Sequence, residues 1–168
     1  MNDFYYPLRL SPVLKEAIWG GHNLADFGRN IPMDRKTSES WEIAAHSNGD
    51  CTVINGIHQG KTLAQLTHEM GANLVGHWGD WALQRGKFPL LVKLIDANDR
   101  LSVQVQPKDA YAQTHEGNEL GKTEMWVVLK AKPGAQLIYG VKKGTTPEAF
   151  QKAIETGHLE PFLHFVPI

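Results

Sequence analysis

Leu101-Ser102-Val103-Gln104-Val105-Gln106-Pro107 and, after a polar interval, Gly121-Lys122-Thr123-Glu124-Met125-Trp126 are the stretches whose reading decides the fold. Polar and apolar residues alternate in the first, which predicts a strand over 101–106. The second predicts a strand over 123–130. Side chains two apart on a strand share a face, so Ser102, Gln104 and Gln106 line up, with Val103 and Val105 turned the other way. Glu124 and Trp126 share a face in the second stretch. The expected result is a polar row plus a carboxylate, backed by apolar layers. Polar side chains aimed at an interior imply that the interior holds a ligand.

Working outward, the remaining pattern is many short strands with a few helices between them. Two apolar runs in residues 5–18 are split by Ser11-Pro12, and Trp19-Gly20-Gly21 reads as a turn. A short helix is expected near 23–27 and a loop over 29–37. Strands are expected over 40–45 and 51–54, joined by the turn residues Ser47-Asn48-Gly49-Asp50. Thr62-Leu63-Ala64-Gln65 has the form of a capping box, and Leu63, Leu66 and Met70 recur at helical spacing up to Gly71. Trp78 and Trp81 are expected to pack at a core edge. The apolar run 88–96 reads as a buried strand, 109–115 as a short helix, and 135–141 as a strand. Thr146-Pro147 starts a helix that Gly157 ends. A helical turn over 159–164 then leads into a final strand. Strands and helices do not alternate regularly, so the class is mainly β, an α+β chain.

Composition bounds the function. The chain has 168 residues, 42% hydrophobic and 21% charged, with a formal net charge of −1. One domain over 1–168 is the default, burying roughly 70% of its unfolded surface. The balanced charge argues against a nucleic-acid or membrane-surface binder. The one cysteine, Cys51, excludes an internal disulfide and fits a reducing cytoplasm. Cys51-Thr52-Val53-Ile54 reads as a strand in which the thiol is a small core group rather than a nucleophile. The first residues lack the layout of a signal peptide, and no apolar run reaches the ~20 residues of a membrane helix.

Five stretches in order carry a resemblance. They are Ile18-Trp19-Gly20-Gly21, Glu39-Ser40-Trp41-Glu42-Ile43, Phe88-Pro89-Leu90-Leu91-Val92-Lys93-Leu94-Ile95-Asp96, Leu101 to Val105, and Gly121 to Trp126. Together they resemble the type I mannose-6-phosphate isomerases, zinc-dependent aldose–ketose isomerases on a cupin fold. The resemblance implies a cupin-type jelly roll with short helical insertions, cut short of the strands that would close it. It implies interconversion of mannose 6-phosphate and fructose 6-phosphate, with a sugar phosphate as the small-molecule partner. By resemblance Gln104 and Glu124 match zinc ligands, and Gln106 stands where the family has a histidine. The family's last zinc histidine lies beyond a strand that resembles Phe165 to Ile168, where this chain stops. By the same route Ser102 is a substrate-phosphate contact and Lys122 lines the active site, as catalytic and binding residue.

Lys93 sits inside an apolar strand, where a lysine needs a partner or a site; snorkelling to the surface is the alternative. An amide binds zinc more weakly than imidazole, so the donor set is thin. His115 and His164 are the groups placed to step in, although a histidine in a loop or at a helix end is more often a surface group. His46 is a candidate pocket wall. Three readings stay open: the isomerase or its N-terminal portion, a non-catalytic relic that binds sugar phosphate, and a jelly roll completed by another chain. An incomplete sheet leaves an edge that pairs with another copy, so a homo-oligomer is expected.

Overall fold

A computed structural model describes residues 5–168. The elements follow the expected order: short strands with short helices set between them. β1 (Leu10–Ser11) ends at the Ser11-Pro12 break, and β2 (Val13–Gly21) begins just after it. β3 (Thr37–Ile43), β4 (Ala45–His46), β5 (Gly49–Asp50) and β6 (Thr52–Val53) follow. Helices α1 (Leu63–Met70), α2 (Ala72–Val75) and α3 (Asp80–Leu83) precede β7 (Val92–Ile95). Then come α4 (Asp109–His115), β8 (Gln136–Val141), α5 (Pro147–Glu155) and β9 (Leu163–Pro167). 3₁₀ turns fall at Asn23–Phe27, Gly56–His58, His77–Gly79 and Glu160–Phe162. The protein is mostly sheet with several short helices.

The largest sheet is antiparallel, in the order β2-β3-β7. Its register sets Lys15 opposite Glu39 and Trp41 opposite Lys93. Direct partners in an antiparallel pair point the same way, so these four side chains share one face. β1 pairs with β6, β4 with β5, and β8 with β9.

The chain's contacts divide it into two units. The first runs through Ser102 and takes in Gln106–Lys122; the second joins Val103–Val105 to Thr123–Ile168. In the first, the core is Leu24, Ala44, Cys51, Val53, Leu63, Leu66, Ala82 and Ala112, all nearly inaccessible. Cys51 is the core group expected, and burial pushes its thiol pKa up. In the second, the buried apolar residues are Ala153 and Leu163.

Local signals act as read. Thr62 accepts from the Gln65 N–H while the Gln65 side chain accepts from the Thr62 N–H, completing the capping box of α1. Thr146 accepts from the Ala149 N–H at the start of α5. Hydrogen bonds from its own backbone N–H and from the Thr146 side chain hold the Glu148 carboxyl below its usual range.

Several expectations need correction. Residues 101–106 and 123–130 carry no strand assignment. Alternation makes a segment able to pair, but a strand exists only where a neighbouring strand supplies the ladder. The apolar side chains of these stretches are not layered behind a polar row. Val105 is 78% exposed, Met125 88% and Val127 71%. In the 88–96 run only Val92–Ile95 forms a strand, and Leu90, Leu91 and Val92 stay exposed. Trp19-Gly20-Gly21 continues β2 instead of turning, because bulges shift its register against β3. Trp78 is exposed and rests on His77 instead of a core edge, their rings 4.7 Å apart.

Candidate functional site

Lys93 is the candidate whose surroundings the sequence left open. Its ammonium reaches both carboxylate oxygens of Glu39 at 3.2 Å. The Trp41 indole N–H donates to the same carboxylate at 2.5 Å. The side chains of Lys93 and Glu39 are only 19% and 17% exposed, so Lys93 does not snorkel. It also lies 5.7 Å from the centre of the Trp41 ring, and the Lys15 ammonium lies 4.6 Å from it. The lysine in the apolar strand therefore has a partner, and that partner is a neighbouring strand's carboxylate.

Behind this sheet face a second polar set forms. Ser40, fully buried, donates to Glu42 at 2.7 Å, and Arg29 pairs with the same oxygen at 2.7 Å. At the end of β7, Asp96 accepts from the Asn23 N–H, from the Asn23 side chain and from the Asn98 side chain. These bonds join the segment after Trp19-Gly20-Gly21 to the end of the 88–96 run. Two of the recognisable stretches are thus one structural joint.

The residues singled out in the sequence divide between the two units. Lys93, Ser102, Gln106 and Lys122 belong to the first; Gln104 and Glu124 belong to the second. Ser102, Gln104 and Glu124 are exposed, whereas Gln106 and Lys122 are half-buried. The backbone brings the last two close: the Lys122 N–H donates to the Pro107 carbonyl at 3.0 Å. Residues 107–121 therefore form an excursion whose two ends meet.

Among the described residues, no three His, Cys, Asp or Glu side chains gather as a metal site requires. Gln104, Gln106 and Glu124 offer two neutral amides and one carboxylate. That set does not fit zinc, which is held in proteins by imidazole, thiolate and carboxylate groups. His115 ends α4 with its ring 4.5 Å from that of Tyr111. His164 is exposed, with Nδ1 3.3 Å from the Tyr139 carbonyl. Neither joins a metal-type cluster. The His46 ring meets the edge of Trp41 at 6.1 Å, and its Nδ1 accepts from the Asn48 N–H.

Sequence reasoning missed Glu39 and Lys15 beside Lys93, and the ion pairs that hold the 107–121 excursion. The alternation Glu39-Ser40-Trp41 was a usable signal that residues 39 and 41 share a face. Nothing local could supply the register that sets Lys93 and Lys15 against them.

Comparison with known proteins gives a consistent answer. Residues 8–135 match the family described as phosphomannose isomerase type I, catalytic domain. The chain is 46% identical over 162 residues to the mannose-6-phosphate isomerase ManA of Bacillus subtilis, covering 96% of this chain and 49% of that protein. It is 42% identical over 163 residues to the mannose-6-phosphate isomerase of Streptococcus mutans, again covering 96% and 49%. The crystal structure of the mannose 6-phosphate isomerase from Bacillus subtilis superposes with a TM-score of 0.84 at 41% identity. The match covers 98% of this chain and 50% of that one. The chain spans about half the length of the curated relatives it matches.

Proposed function

Because the chain belongs to the type I phosphomannose isomerase family, we propose that it carries substrate-handling groups of an enzyme interconverting mannose 6-phosphate and fructose 6-phosphate. The observation that carries this reading is 46% identity extending over 96% of the chain to an isomerase of that name. A single cupin-type jelly roll is the architecture proposed for the whole, supported by the match to the Bacillus subtilis structure. A cytoplasmic setting is proposed from the lone Cys51.

The reaction moves a proton between C1 and C2 of the open-chain sugar through an enediol. Its anionic substrate needs fixed positive charge and hydrogen-bond donors. Ser102 is proposed to donate to the phosphate. Lys122 is proposed to line the reacting carbons, where an ammonium stabilises developing negative charge and can pass a proton. Lys93 is proposed as a further cation toward the substrate, kept charged by Glu39. Zinc dependence is proposed for the family's complete site, whose ligand positions fall, by resemblance, at Gln104, Gln106 and Glu124 of this chain. Since that set does not fit zinc, no step is assigned to the metal.

The same donor set favours a second reading, in which the chain binds sugar phosphate without turnover. Calorimetric titration of mannose 6-phosphate, alongside a coupled assay with and without zinc, separates the two. Saturable binding that weakens in Ser102→Ala and Lys122→Ala supports the substrate reading, and no binding by the parent chain refutes it. Turnover by these 168 residues is expected to be very low or absent. Robust zinc-dependent isomerisation would overturn that expectation. Gln106→His puts an imidazole at the position where the family has a histidine and should raise zinc affinity at a pH where imidazole is neutral. Equal affinity in the two forms would mean residue 106 does not face a metal.

A further inference from the structure

The 107–121 excursion is pinned at its neck and at its head. At the neck, the Lys122 N–H bonds to the Pro107 carbonyl at 3.0 Å, and the Gly121 N–H donates to Asp109 Oδ1 at 2.8 Å. The approach is so close that a Cβ on Gly121 would lie 2.5 Å from the Asp109 nitrogen. At the head, Arg85 just beyond α3 pairs with the same Asp109 oxygen at 3.3 Å. With the Gln113 amide turned so that its oxygen faces the guanidinium, Gln113, one turn further along α4, accepts from Arg85 at 3.0 Å. Residues four apart share a helix face, so this guanidinium grips α4 along one side. Its side chain is only 26% exposed, and Ala112 of α4 is fully buried. On the far side, Lys87 pairs with Glu119 at 2.7 Å, with His46 Nε2 4.0 Å from the same oxygen.

Asp109 is the hinge-pin of this arrangement, since one carboxylate oxygen serves both the neck amide and the arginine. We propose that Asp109, held by Arg85, is a positioning residue. It fixes the backbone at Lys122 against that of Gln106-Pro107, so that the Lys122 ammonium meets a bound sugar phosphate in one set geometry. This rests on the substrate reading given above. A lysine is a flexible point charge, and its usefulness to an anionic substrate depends on where its backbone is anchored. The excursion has many exposed polar residues and one fully buried one, Ala112, so packing alone holds it weakly.

The test compares Asp109→Ala, Asp109→Asn and Arg85→Gln in the same chain. Two quantities are read: amide hydrogen exchange by NMR, and mannose 6-phosphate affinity by calorimetry. Asp109→Ala should speed exchange at Gly121 and Lys122 while leaving the β2-β3-β7 sheet protected. It should also weaken binding about tenfold, the scale of one lost charge-assisted hydrogen bond. Arg85→Gln should fall between the two forms. Asp109→Asn keeps an acceptor for the Gly121 N–H and should restore most of the protection and affinity. Unchanged exchange at Lys122 in Asp109→Ala overturns the proposal. So does faster exchange with unchanged affinity, and so does a uniform loss of protection across the sheet, which marks a merely structural role. If the parent chain binds no mannose 6-phosphate, the substrate reading fails, and exchange at Lys122 still decides whether Asp109 anchors it.

Discussion

Replacing Asp96 with alanine should cost about 3 kcal/mol of folding stability. Asp96 is 6% exposed and takes three hydrogen bonds: the Asn23 N–H at 2.8 Å, the Asn23 side chain at 2.8 Å and the Asn98 side chain at 2.7 Å. Hydrogen bonds to a charged group contribute roughly 1.5–3 kcal/mol each. The full sum overstates the loss. Asn98 is exposed and its amide can turn to water, whereas the Asn23 backbone N–H is fixed and would be left without its acceptor. About one strong bond and part of two others are therefore lost. Asn98 also donates its backbone N–H to the Trp19 carbonyl at 2.9 Å, so the damage reaches β2. Urea unfolding of the two forms measures the difference. For a domain of this size about 3 kcal/mol is roughly 6–12 °C in Tm. A coupling of at least ~1 kcal/mol should appear in a double-mutant cycle of Asp96→Ala with Asn23→Ala. An Asp96→Ala cost below about 1 kcal/mol, or strict additivity with Asn23→Ala, would refute the joint as a source of stability.

Gly20→Ala should destabilise by about 1–3 kcal/mol, because the new Cβ would lie 2.7 Å from the backbone of Thr37 and Ser38, which cannot swing aside; thermal unfolding measures it. Thr62→Ala should cost about 1 kcal/mol through the lost α1 cap, read by urea midpoint, whereas Thr62→Ser should cost little. Burial raises the Cys51 pKa in the folded state, so its contribution is fully present below an ordinary thiol's pKa of about 8.5 and is lost as pH rises through the folded value. Stability measured at rising pH should therefore fall more steeply in the parent than in Cys51→Ala, and parallel curves would contradict this. The exposed Val105, Met125, Val127 and Leu129 should drive self-association at micromolar concentration, and sedimentation giving a clean monomer would count against it.

What the sequence determined by itself is what depends on near neighbours. The Thr62/Gln65 cap, the Thr146 cap, the Ser11-Pro12 break and the core role of Cys51 were legible, because a few consecutive residues specify each. The family was legible for a different reason: five stretches in order constrain a relationship even when none reveals its geometry. Tertiary structure decided the rest. Lys93 is separated by 54 positions from Glu39, and Asn23 by 73 from Asp96, so no local pattern states that they meet. Alternation over 101–106 marked a pairing-competent segment. Whether it becomes a strand depends on a ladder that only another segment can supply, and its apolar side chains lie exposed where an interior was expected. Gln106 read as the end of one strand and Lys122 as the loop residue just before another; the neck at Pro107, braced by Asp109 and Arg85, brings their backbones together. Backbone propensity acts over a few residues, whereas register, ion pairing and closure depend on what the rest of the chain brings alongside.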